Sequence, residues 1–405
     1  MHPVVTAALI VIAFAVTAYM LKKGVNIGIL MLAGSVFMTF IAQIPLKKAF
    51  YSAVEGVVSE KTISTILLLF LILILENIMR TTGMISSMVD SLKELVGSRR
   101  LAAGLMPLVI GLLPSPGGAR FSCPMVDEIS GDTTDSGNKA FINYWFRHVW
   151  LDGFILYPGA ILASTLIGIS VLDFFVHMLP LMFLALLLGI VFGLYRLKGE
   201  PIVKTRTNKE NIRIFIISIL PVFAVIGMYI FLLRYTGHSL VIALVLVIAA
   251  LFIVKKYDLK KILDTIRKAF PIKLIIIIIG VMIFKEILLD SGIMDGIPAF
   301  MQENGIPVEV LFIALPFIGG FSSGLTISYV SLAFPILIPM GLDKSIWYVV
   351  LTFTAGYVGN MVTPLHLCAA MTSDYFKAPI GKLLLKSLYA SSILFIVVVA
   401  GIFLL

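Results

Sequence analysis

Apolar positions fall in long blocks broken by short polar stretches, and the blocks run well beyond the roughly four to eight residues of a buried strand. A helix that crosses a bilayer takes about 20 such residues. Blocks of this kind cover Val4–Leu21, Val25–Ile44, Thr62–Met79 and Leu101–Leu113. After a disturbed region they resume at Ala140–Ile169, interrupted by Pro158-Gly159, and at Val171–Leu194. A polar link rich in Lys, Glu and Thr spans Arg196–Arg213. The pattern then restarts at Ile212–Leu233, Leu240–Val254 and Ile272–Leu289, is disturbed over Val308–Ile338, and ends with Ile346–Met371, interrupted by Pro364, and Ile380–Leu405. The pattern predicts an all-α polytopic membrane protein.

The two sides of the link share landmarks in one order. Leu75-Glu76-Asn77 ends a span and Gly83-Met84 opens a short amphipathic stretch; Lys285-Glu286 and Gly292-Ile293 do the same later. Pro114-Ser115-Pro116-Gly117-Gly118 answers to Pro316-Phe317-Ile318-Gly319-Gly320. Trp145 precedes the block broken at Pro158 and Trp347 the block broken at Pro364; Gly118 to Gly320 and Trp145 to Trp347 share an offset of 202. The expected domains are a first repeat at 1–196, a cytoplasmic linker at 197–211 and a second repeat at 212–405.

Pro, Ser and Gly at membrane depth are tolerated only where protein or water satisfies the backbone, so the two Gly-Gly regions read as re-entrant hairpins. Each half then crosses five times. Ten transmembrane helices result, and an odd number per half makes the two repeats inverted in topology. With the amino terminus outside, most of the 31 Lys and Arg fall on cytoplasmic segments, as the bias of basic residues toward that side requires. The expected location is the cell membrane, multi-pass, with both termini outside.

Composition sharpens this. Of 405 residues, 60% are hydrophobic and 13% charged, against about a quarter charged in soluble domains. Soluble enzymes, nucleic-acid binders and disordered scaffolds are excluded, and the net charge of +9 belongs to membrane orientation. Met1-His2-Pro3 lacks the basic start of a cleaved signal, so the first block reads as a retained span. Cys123 and Cys368 form neither a disulfide framework nor a metal-ligand spacing, and are expected as free thiols.

Helices that stop at mid-membrane expose unpaired N–H and C=O groups and dipole ends. Paired interruptions in inverted repeats are the signature of secondary transporters. The candidate solute-binding residues are therefore Ser115, Gly117, Gly118, Arg120 and Ser122 at the first tip, Gly319, Gly320, Ser322, Ser323 and Thr326 at the second, and His366 beside the second break. Glycines let backbone approach a ligand, and hydroxyls donate and accept; tight helix packing is the competing explanation. Asp152 and Tyr157 at the first break, and Asn360 and Thr363 at the second, are the candidates for coupling to a cation, with Na⁺ or H⁺ as the ion. A watery vestibule would also explain Asp152. Arg120 suits an anionic solute, a hairpin cap or a headgroup contact equally. His148 and His366 read either as proton carriers or as packing residues.

Gly320-Phe-Ser322-Ser-Gly324 fits the GxSxG pattern of serine hydrolases, which requires a strand-turn-helix context that this region lacks. No HExxH, no Walker A loop and no His cluster of metal-binding spacing occurs. An enzyme is not expected, nor a metal cofactor.

Gly111-Leu-Leu-Pro-Ser-Pro-Gly-Gly-Ala-Arg-Phe-Ser-Cys-Pro124 and Gly356-Tyr-Val-Gly-Asn-Met-Val-Thr-Pro-Leu-His-Leu-Cys368, with Ser373-Asp374-Tyr375-Phe376 behind the latter, resemble over nearly the full chain a ten-span prokaryotic membrane family known as a domain of unknown function. More distantly, the plan resembles the ion transporter superfamily of divalent-anion:sodium symporters, gluconate permeases and sodium/proton antiporters. That resemblance implies a scaffold, a moving unit of hairpins and broken helices, elevator-like motion and, often, a homodimer. The Ser-Asn-Thr tip of dicarboxylate members is absent. The expected function is cation-coupled movement of a small organic anion; sodium/proton antiport is the rival, and an intramembrane serine hydrolase the reading from another class.

Overall fold

The computed structural model describes residues 3–113, 118–131, 134–195, 197, 208–294 and 296–404, and the regular elements among them are helices. Before the link lie α1 (Pro3–Lys22), α2 (Ile27–Ile41), α3 (Leu46–Val58), α4 (Glu60–Thr81), α5 (Met84–Leu95), α6 (Arg99–Ile110), α7 (Ala119–Ser130), α8 (Ser136–Arg147), α9 (Pro158–Ile167) and α10 (Val171–Gly189, extended by a π-helical turn to Leu194). After it come α11 (Asn208–Leu232), α12 (Ser239–Val254), α13 (Leu259–Lys268), α14 (Ile272–Ser291), α15 (Ile297–Glu303), α16 (Glu309–Ser323), α17 (Thr326–Leu337), α18 (Ile346–Met361), α19 (Leu367–Phe376) and α20 (Ile380–Leu404).

Among the described residues, four stretches are long and apolar enough to cross a membrane: Leu46–Thr81, Val171–Leu194, Lys209–Leu232 and Ile380–Ile402. Shorter apolar helices include Ile27–Ile41, Ser239–Val254 and Glu309–Ser323. Phe183, Leu187, Phe223, Val245 and Ile396 face outward. An apolar exterior on a helical chain is the mark of a membrane protein.

Local chemistry sets the helix ends. Asn26 Oδ1 accepts from Gly28 N at 2.8 Å to start α2, and Asp135 Oδ1 accepts from Asn138 N at 2.9 Å to start α8. Each satisfies a donor that the first helical turn leaves orphaned. Pro158 occupies the first turn of α9, where its missing N–H costs nothing.

Two amphipathic helices, α3 and α13, lie where the block pattern showed only connections. Leu259, Ile262, Leu263 and Ile266 recur at helical spacing in α13, with Lys260, Lys261, Arg267 and Lys268 between and beyond them. The second interruption is also narrower than the sequence suggested. Gly356 and Gly359 are helical, and the chain leaves the helix only between Met361 and Leu367. Those glycines serve a close crossing instead: a Cβ on Gly359 would overlap the Phe317 carbonyl, and one on Gly320 the Gly356 carbonyl.

The tryptophan landmark does not mark equivalent places. Trp145 is buried near the end of α8 and donates from Nε1 to Ala185 O at 2.8 Å, whereas Trp347 starts α18 half-exposed. What recurs is the order of elements: each set has two leading helices, a short amphipathic one, a long one, another short one, a helical hairpin, a broken pair and a closing long helix. Packing follows the same exchange. Helix α2 packs on α14 and α12 on α4; α9 packs on α17 and α19 on α7; α10 reaches α18 and α20 reaches α8.

Candidate functional site

Residues 148–157 connect α8 to α9 without regular structure. Leu151 and Asp152 stand there at φ +49° and +53°, consecutive left-handed conformations in non-glycine residues. Each such residue costs about 1–3 kcal/mol and persists only where its surroundings hold it. They do. Tyr357 Oη donates to His148 O at 2.9 Å, and Tyr157 Oη donates to Gly111 O, pinning the segment at both ends. The turn delivers the Asp152 carboxylate into the protein, with 5% of the residue exposed.

That carboxylate meets the other half of the chain. Thr326 Oγ1, at the start of α17, donates to Asp152 Oδ2. Asn360 Nδ2, at the end of α18, donates to the same oxygen at 3.2 Å and lies 3.5 Å from Thr326 Oγ1. Asn360 Oδ1 is buried with no hydrogen-bond partner among the described residues. A carboxylate, a hydroxyl and an unpartnered carbonyl oxygen make a hard-oxygen set suited to a small cation or a proton.

These groups line a cavity of about 800 Å³. Its walls include Tyr157, Pro158 and Gly159 from the first break, Ser323 to Ser328 from the second hairpin, and Asn360, His366 and Cys368 from the second break. Leu21, Gly24 to Ile27 and the start of α14, including Lys273, complete its lining. Gly324 turns the hairpin at φ +66°, and a Cβ there would press on the His366 backbone. Gly159 similarly leaves room for the Thr326 methyl.

Other candidates are placed as follows. Ser115 and Gly117 lie outside the described residues, as does the Arg120 side chain. Gly118 sits against the Arg147 guanidinium, which a Cβ there would overlap. Ser122 is buried and turned onto its own helix, 3.4 Å from Ala119 O. Gly320 meets the α18 backbone at Gly356 and Asn360, and Ser322 and Ser323 donate to Gly319 O at 3.3 and 2.7 Å. Thr363 is buried and accepts from Leu365 N at 3.2 Å. Ser322 lies in the last turn of α16, with no strand before it. Asp374 is on the surface, paired with Lys377 at 2.8 Å, which holds its carboxyl below its usual range.

Sequence reading missed Arg147 and Lys273, the two cations that line the cavity. Arg147 directly precedes the break and was legible as a charge buried beside it; Lys273 reaches the cavity only because α14 packs against α2.

The chain matches the model of a family described as protein of unknown function (DUF401) over residues 5–405. It belongs to this family. No curated protein matches the chain. In this DUF401 member, the second motif lines the cavity through Asn360, His366 and Cys368, and the first is tied to it through Gly111, whose carbonyl accepts from the cavity residue Tyr157.

Proposed function

We propose that this DUF401 protein is a secondary active transporter that couples a cation, Na⁺ or H⁺, to movement of a small organic anion. The observation that carries the reading is the meeting of Asp152 with Thr326 and Asn360. A buried carboxylate at a strained break, bonded to a hairpin tip and a second break, is costly unless it binds a cation or proton. Arg147 and Lys273 on the same cavity give an anion its counter-charge.

The reading includes ten spans in two inverted repeats. The recurring element order and the exchanged packing of α2 on α14 with α12 on α4 support it. With the amino terminus outside, the 23–26 loop and the start of α14 are cytoplasmic, so the cavity opens inward. An elevator-like movement of hairpins and broken helices against the remaining helices would carry it across.

A second reading, sodium/proton antiport, is favoured by the same Asp152 carboxylate, which can exchange one ion for the other. Reconstituted liposomes separate the two. An antiporter acidifies or alkalinises the lumen on a Na⁺ gradient alone. A symporter stays silent until an anion is supplied, and a melting-temperature screen of carboxylates and phosphates with and without Na⁺ finds that anion. No flux and no ligand-dependent stabilisation under any of these conditions would defeat transport altogether.

A further inference from the structure

The cavity has a second corner whose chemistry is nitrogen and sulfur rather than oxygen. His148 caps the end of α8, His366 caps the start of α19, and Cys368 is the second residue of α19. All three are buried, and one ligating atom from each lies within 4.8 Å of the others. We propose that His148, His366 and Cys368 form a binding site for a borderline transition-metal ion, with Zn²⁺ as the type, leaving a fourth position open to the cavity. The proposal does not rest on the transport reading.

Ring orientation supports it first. His148 Nδ1 lies 2.7 Å from Tyr144 O, and His366 Nδ1 lies 3.1 Å from Asn360 O. A carbonyl only accepts, so each Nδ1 carries the proton and each Nε2 keeps its lone pair. Metal-binding histidines are held in this way, with the far nitrogen donating to a backbone carbonyl. The two rings stand edge to face with centroids 4.7 Å apart. Tyr144 Oη, 3.3 Å from His366 Nδ1 and donating to Met361 O at 3.1 Å, braces the second ring from behind.

The sulfur completes the set. Cys368 Sγ lies within 4.8 Å of a ring nitrogen of each imidazole, so it stands where a shared ion would bridge them. Bonds of about 2.0–2.3 Å put neighbouring ligand atoms roughly 3.3–3.8 Å apart in a tetrahedral site. Closing from 4.8 Å takes small side-chain rotations. Two imidazoles and a thiolate select Zn²⁺, Co²⁺ or copper over Na⁺, Mg²⁺ or Ca²⁺.

Charge is consistent with one bound dication. The thiolate offsets one of its two charges, and the Asp152 carboxylate on the same cavity offsets the other, while Arg147, which also lines it, opposes binding. As the metal–sulfur bond forms, the thiol S–H bond breaks and one proton leaves to water. His148 comes from the first break, His366 and Cys368 from the second, so a bound ion would fasten the two breaks to each other. That effect is independent of what the cavity carries.

The test is a Co²⁺ titration of the full-length protein, purified in detergent and stripped with EDTA. Expected are one ion per chain, a thiolate-to-cobalt charge-transfer band, visible bands of tetrahedral intensity, and loss of all of them on adding Zn²⁺. Cys368→Ser removes the charge-transfer band and Cys123→Ser keeps it. Changes to groups that only orient the ligands cost about 10–100-fold in affinity, so His148→Gln and His366→Gln should each weaken binding at least tenfold. Should a variant fail to fold, the unaltered chain supplies a second measurement. Zn²⁺ should slow alkylation of Cys368 by a small maleimide, read by mass spectrometry. A wild-type titration without the thiolate band, a band that survives Cys368→Ser, or alkylation indifferent to Zn²⁺ would overturn the site.

Discussion

Asn360 Nδ2 lies 3.2 Å from Asp152 Oδ2, joining residues 208 positions apart. One end of this contact is set by a regular helix, since Asn360 is in the last turn of α18. The other is set by irregular backbone, since Asp152 holds a left-handed conformation between α8 and α9. The carboxylate is thus aimed by a turn that the sequence would not adopt unaided, and the amide that receives it stands on a helix seated against α16 by glycines. Geometry of this kind places the charge accurately, as the proposed cation site requires.

Replacing Asp152 by Asn removes charge while keeping size and acceptor capacity. A contact to a charged group is worth about 1.5–3 kcal/mol, so cation affinity should fall about tenfold or more. The variant should still run as a single species on size exclusion. Cation-dependent stabilisation, followed by melting temperature across a Na⁺ or pH series, is the check; an unchanged dependence would remove Asp152 from coupling.

Tyr357→Phe deletes the hydroxyl that donates to His148 O. His148 O still accepts from Leu151 N, so the loss is that of one hydrogen bond, about 0.5–1.5 kcal/mol, and the melting temperature should drop. The loss should be larger than for Tyr389→Phe, whose ring is on the exterior. Equal losses in the two variants would show that the first break is not held by Tyr357.

Gly359→Val puts side-chain atoms where the Phe317 carbonyl of α16 stands. Overpacking costs about 1–3 kcal/mol, and backbone gives way less readily than side chains, so a marked loss of folded protein is expected. Gly227→Ala, in mid-α11 with nothing within 4 Å of the added Cβ, should be neutral or gain up to about 1 kcal/mol from helix propensity. Fluorescence-detected size exclusion after heating compares the two.

The proposed orientation places the 23–26 loop inside and the α11–α12 loop outside. Lys23→Cys should react with a membrane-impermeant maleimide only in inside-out vesicles, and Gly237→Cys only in right-side-out ones; both positions are exposed. Native Cys123 and Cys368 are buried and should label slowly from either side. The reverse pattern would invert the topology and with it the inward opening of the cavity.

The helical class and the positions of the breaks were legible because long apolar blocks and the prolines at 158 and 364 act locally. Asp152 was legible as a misfit charge in such a block. Helices α3 and α13 were legible in principle, since Leu259, Ile262, Leu263 and Ile266 keep helical spacing, but short amphipathic stretches between spans look like loops when only long runs are sought. The trio His148, His366 and Cys368 was not legible. Its members come from different breaks, and their approach depends on α19 packing against α8, which no spacing rule encodes. The matching tryptophans misled, because equal offset says nothing about where each sits along its helix.

The exchange of α9 and α19 between the halves bears on how the polypeptide is made. On a ribosome, α9 emerges long before α17, the partner it lies against. Until synthesis passes residue 337 the early segment has α4 and α10 beside it but not α17, and the carboxylate at position 152 waits on Thr326 and then Asn360 to receive it. Completion of the nascent chain, rather than sequential maturation of two modules, is therefore the event that closes the interior.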